Sequence, residues 1–76
     1  MELVTIQVGK NGFSEELIAD VNKHLKKRKN VKLKLLNGFL DSMDIDRKMA
    51  FNQFKELGFD KYSLKLVGKV IFVENK

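Results

Sequence analysis

The chain has no cysteine. Neither a disulfide framework nor a thiolate metal site can therefore be built from it. That composition fits a reducing compartment. No apolar run exceeds a few residues, too short for a membrane-spanning helix, which needs about 20. The opening Met-Glu-Leu lacks the basic segment and apolar core of a secretory leader, so the expected location is cytoplasmic. Only one histidine is present, His24, and no second ligand accompanies it for a metal. Asp41, Asp44 and Asp46 lack the central glycine and closing glutamate of a calcium loop and read as helix caps or first-turn charges. No Ser/His/Asp or Cys/His set exists, and no carboxylate pair marks a cleft. The expectation is a protein that is not an enzyme and carries no cofactor.

What remains is short and basic. Seventy-six residues, 43% of them hydrophobic, make one domain spanning 1–76 with enough apolar content for a small core. The formal net charge is +5, and it is unevenly placed. Lys23, Lys26, Lys27, Arg28, Lys29, Lys32 and Lys34 crowd one stretch with no acid among them. From Asp41 to Asp60, by contrast, five acids outnumber three bases. Such asymmetry fits a polyanion-binding face, though lysine-rich helices also serve simply as solvated surface.

Alternation over residues 2–8 (ELVTIQV) puts Val4, Ile6 and Val8 on one side and Thr5 and Gln7 on the other, as in a half-buried strand. Gly9 to Gly12 forms a turn. Ser14 is suited to cap a helix, with Glu15 and Glu16 in its first turn and Lys26, Lys27 and Arg28 at its end, the arrangement the helix dipole favours. Leu17, Ile18, Val21 and Leu25 supply its apolar stripe, and the helix is expected to run to about Arg28. A second strand follows from Val31, with Val31, Leu33 and Leu35 inward and Lys32 and Lys34 outward. Asn37 to Ser42 reads as a loop because of its Asn-Gly turn signal. Ser42 or Asp44 then caps a second helix ending near Leu57, with Gly58 as its stop and Ala50, Phe54 and Leu57 inward. Two last strands, YSLKLV and VIFVE, are joined by Gly68-Lys69, a link suited to a type II′ hairpin.

The order β-α-β-α-β-β predicts a two-layer α/β sandwich: a mixed four-stranded sheet with both helices on one face and the other face open. The hairpin pairs Val67 with Val70, Leu66 with Ile71 and Lys65 with Phe72. The open face is then expected to carry Thr5, Gln7, Lys32, Lys34, Lys65 and Phe72. Phe13, Phe51, Phe54 and Phe59 are expected to pack inside or against loops, and Phe72 to offer one thin stacking platform.

The Gly9–Gly12 loop follows a strand and opens a helix, where backbone N–H groups collect at a positive dipole end. Lys10 adds a mobile charge and Asn11 amide donors, while the two glycines clear space for a sugar-phosphate backbone. The spacing matches neither the P-loop nor the dinucleotide fingerprint. It is similar to the clamp of KH domains, where, however, the loop joins two helices.

Taken with its surroundings, the sequence resembles the CRM domain, the YhbY-like family of RNA-binding proteins. The resemblance rests on Ile6-Gln7-Val8-Gly9-Lys10-Asn11-Gly12-Phe13-Ser14-Glu15, on a basic helix end leading into the strand Val31 to Leu35, on Asp46-Arg47-Lys48 at a helix start, and on the hairpin Leu66 to Val73. It implies a fold akin to the C-terminal domain of translation initiation factor three. It also implies binding to structured RNA, such as ribosomal RNA or a pre-ribosomal particle. Carried over by position, Gly9, Lys10, Asn11 and Gly12 would hold RNA backbone, Lys23, Lys26, Lys27, Arg28, Lys32 and Lys34 would extend the basic surface, and Lys69 would add a contact from the last turn. The family often ends its last strand in an aromatic residue and arginine, where this chain has Glu74 and Asn75. The expected partner is RNA, with no membrane contact and a monomer favoured. Two alternatives stand beside it: an Alba-like chromatin protein that coats DNA or RNA, and a protein-interaction module that uses its basic face or an open sheet edge.

Overall fold

Alternation does form strands where it predicts them. In a computed structural model of the chain, which describes residues 2–75, four strands pair into one sheet: β1 (Leu3–Val8), β2 (Asn30–Leu35), β3 (Ser63–Val67) and β4 (Val70–Glu74). The strand order is β1-β2-β4-β3, with β1 parallel to β2 and the other two pairings antiparallel. Three helices complete the chain: α1 (Glu15–Lys26), α2 (Asn37–Met43) and α3 (Arg47–Phe54). The architecture is an α/β sandwich of two layers.

The buried residues join one core. Val8, Val31, Leu33, Leu35, Ile71 and Val73 from the sheet meet Val21 and Leu25 of α1, Phe39 and Leu40 of α2, and Ala50 and Phe54 of α3. The helices therefore cover one face, and the opposite face stays open. Each fully buried aliphatic or aromatic side chain contributes about 1.5–3 kcal/mol of transfer free energy, so this single cluster dominates the favourable side of folding. The hairpin register is the expected one, Val67 to Val70, Leu66 to Ile71 and Lys65 to Phe72. Positive φ falls at Gly68 (59°) and not at Lys69, as a type II′ turn requires.

Four expectations need correction. The stretch Asn37 to Ser42 is helical, because Phe39 and Leu40 turn together onto the core, and that burial outweighs the Asn-Gly turn signal. Asp46 caps α3, accepting from the Met49 N–H at 2.8 Å. Ser42 instead donates its hydroxyl to the Phe39 carbonyl, and Asp44 ends α2 in the left-handed conformation at φ 52°. The first helix stops at Lys26, since Arg28 takes φ 61° and closes the end: its N–H donates to the Leu25 carbonyl and that of Lys29 to the His24 carbonyl. Leu57 does not face inward. Beyond Phe54 the chain widens and kinks over Lys55–Phe59, with Gly58 at φ 101°. Phe59 is thereby turned onto the core and stacks on Phe54 with ring centroids 4.3 Å apart. Leu57 is left 51% exposed and lines an open groove with Met43.

Among the described residues, no helix is long and apolar enough to cross a membrane.

Candidate nucleic-acid interface

The Gly9–Gly12 loop leaves β1 as a tight turn, with the Gly12 N–H donating to the Gly9 carbonyl at 2.9 Å. Ser14 then starts α1 by accepting from the Leu17 N–H through its hydroxyl. What fixes the loop is Phe13. Its ring meets Phe39 edge-on (5.3 Å) and Phe54 at a tilt (5.5 Å), so the residue after the turn is anchored in the core. Gly12 is buried and sits at φ 61°. A β-carbon there would stand 3.1 Å from the Phe39 ring, which would have to shift to admit it. Its glycine therefore serves packing and backbone shape, whereas Gly9 has open space around it. Lys10 and Asn11, at the tip, are exposed.

The fold brings three further groups to this end of the sheet. The stem of Lys10 lies beside Gly38, with Cγ 3.7 Å from where a β-carbon would sit. The neighbouring Asn37 side chain accepts a hydrogen bond from the Lys69 ammonium in the β3–β4 turn. Arg47 Nη1 donates to the Gly68 carbonyl at 3.2 Å. Lys10, Lys69 and Arg47 thus line one rim, built from the β1–α1 loop, the start of α2, the hairpin and the start of α3. Arg47 is not among the site residues expected from the sequence. It lies 21 residues from Gly68, and no local pattern announces that pairing.

The basic end of α1 is elsewhere. A twelve-residue helix is about 18 Å long, and Lys23, Lys26, Lys27 and Arg28 gather at the end away from the glycine loop. All four are exposed. Lys29 beside them is paired with Glu2 (2.8 Å), which holds the Glu2 carboxyl below its usual value, first through the hydrogen bond from Lys29 and then through its charge. Lys32 and Lys34 do not join this patch: they project from β2 on the side of the sheet opposite α1. The expected site residues therefore fall into three groups, on the rim, at the end of α1, and on the open face.

His24 is part-buried, with Nε2 3.4 Å from Asp20 and Nδ1 buried without a hydrogen-bond partner. Among the described residues, no three His, Cys, Asp or Glu side chains come together as metal ligands.

In comparisons with protein families, with curated proteins and with solved structures, the chain has no significant match.

Proposed function

We propose that the protein is a non-catalytic, cytoplasmic RNA-binding module of the CRM type, which recognises structured RNA by backbone and shape. The observation that carries this reading is the rim, where a glycine turn at a helix start is flanked by Lys10, Lys69 and Arg47 from three separate elements. Backbone N–H groups and a helix dipole attract phosphate there, and the arginine offers a planar fork. The lysines and Arg28 at the far end of α1 form a second positive patch. Two such patches about one helix length apart suit an extended polyanion better than a small anion. Ribosomal RNA, free or in a pre-ribosomal particle, is the partner class. No cofactor is needed, and the protein acts as a monomer.

The test is fluorescence anisotropy with labelled ribosomal-RNA fragments and matched DNA duplexes across a salt series. RNA-selective binding that weakens log-linearly with salt supports the proposal, and the slope counts phosphate contacts. Replacing Lys10 and Asn11 together by Asp should abolish that binding at unchanged melting temperature. Equal affinity for RNA and DNA duplexes would instead favour an Alba-like coat. Absence of binding at low salt, with pull-downs that survive nuclease, would favour a protein-interaction module.

A further inference from the structure

The face of the sheet that no helix covers is not a neutral surface. Register places Thr5, Lys32, Phe72 and Lys65 side by side in one row across all four strands. The next row holds Gln7, Lys34, Val70 and Val67. With strands about 4.8 Å apart, Lys32 and Lys65 flank the Phe72 ring within roughly 10 Å of each other. Phe72 is unlike the chain's other aromatic residues. Phe13, Phe39, Phe54, Phe59 and Tyr62 form the chain of rings on the helix side, and Phe51 packs against the core. Phe72 alone is presented, half-buried, on the open face.

The charge of the face is also predominantly of one sign. Lys32, Lys34 and Lys65 are joined there by one acid, Glu74, at its margin. Among the described residues, none of the three lysines forms an ion pair. Three lysines around a central aromatic ring, none of them in an ion pair, are a poor choice for solubility alone, where mixed signs serve better. They are complementary to a ligand that carries both a flat apolar surface and negative charge on either side of it.

We propose that this open face is a second nucleic-acid surface that takes a single strand, one base stacked on Phe72 and the flanking phosphates held by Lys32, Lys34 and Lys65. A duplex does not fit this role, because its bases are already stacked on one another and are not free to stack on a side chain of the sheet. The surface is separate from the rim, since the three lysines and Phe72 stand on strands and use no residue of the glycine loop. It goes beyond the proposed function and does not rest on it.

The experiment uses short labelled oligouridylate and oligothymidylate, titrated by anisotropy at low salt with the full chain. The native protein is expected to bind both, because stacking is indifferent to base and sugar. Phe72→Leu keeps an apolar side chain in place but removes the stacking plane, and should weaken both complexes roughly tenfold. Phe72→Tyr should keep native affinity, which separates stacking from a folding defect. The Lys32→Gln/Lys65→Gln double variant should weaken binding and flatten its salt dependence. The Lys10→Asp/Asn11→Asp variant should still bind both oligonucleotides, weakened only as far as its lower net charge requires. Failure of the native protein to bind either oligonucleotide overturns the proposal, as does native affinity in a folded Phe72→Leu protein.

Discussion

The ring of Phe39 lies against the α-carbon of Gly12, with Cε1 3.1 Å from where a β-carbon would be. Gly12 also holds φ at 61°, in the left-handed region. Gly12→Ala should therefore destabilise the fold by roughly 1–3 kcal/mol, from backbone strain and from displacing a buried ring. Gly9→Ala meets open space at ordinary φ and should change stability by less than about 0.5 kcal/mol. Urea midpoints separate the two. Equal losses would show that the loop's shape depends on both glycines alike.

Arg28 occupies the left-handed position that closes α1, where glycine is the usual occupant. Arg28→Gly should raise stability by up to about 1 kcal/mol by relieving the backbone. The same change should weaken binding to structured RNA, since it removes one exposed cation from the α1 patch. Thermal melts and a salt-dependent titration check both halves. Unchanged RNA affinity would remove Arg28 from the interface.

Asp46 carries the start of α3 through its bond with the Met49 N–H. Asp46→Ala should cost about 1 kcal/mol, within the usual range for losing such a cap. Ser42→Ala removes only a partly exposed bond to the Phe39 carbonyl and should cost less than that. Denaturant unfolding of the two variants orders them. A larger loss at Ser42 would mean that the short helix before it depends on that hydroxyl.

The Glu2 carboxyl is held below its ordinary 4.5 by Lys29. A carboxylate whose pKa is lower folded than unfolded stabilises the fold above its unfolded value, and loses that contribution as pH falls through the folded one. The pair is surface-exposed, so the effect on stability should be small and weaken with salt. Carboxyl NMR titration should place Glu2 below the usual glutamate range, and Lys29→Gln should return it there. A Glu2 titration that ignores the substitution would show that the ion pair does not persist in solution.

The sheet was legible because each strand carries its own evidence. Val4-Ile6-Val8 and Val31-Leu33-Leu35 alternate without a break, and Gly68 sets the hairpin register. The helix Asn37–Met43 was not, because seven residues show too little period to outweigh an Asn-Gly signal; only the core at Phe39 and Leu40 decides the matter. Leu57 misled for a related reason. Its spacing from Ala50 and Phe54 fits a regular helix, and the widened turn ending at Phe59 is a tertiary effect of ring stacking. For the candidate interface, the glycine loop and the basic run were visible locally. Their separation to opposite ends of α1, and the arrival of Arg47 and Lys69 beside Lys10, depend on contacts between distant segments that no local pattern encodes.

The strand order has a consequence for how the molecule is made. β4, the last strand to leave the ribosome, sits between β2 and β3 and is the only partner of β3. Until Val70–Glu74 emerge, the nascent chain can pair only β1 with β2, and the core lacks Ile71 and Val73. Completion of the sheet during synthesis is thereby deferred until β4 has emerged. Loss of Val70–Glu74 would remove an interior strand of the sheet and leave β3 without its neighbour, not trim the margin.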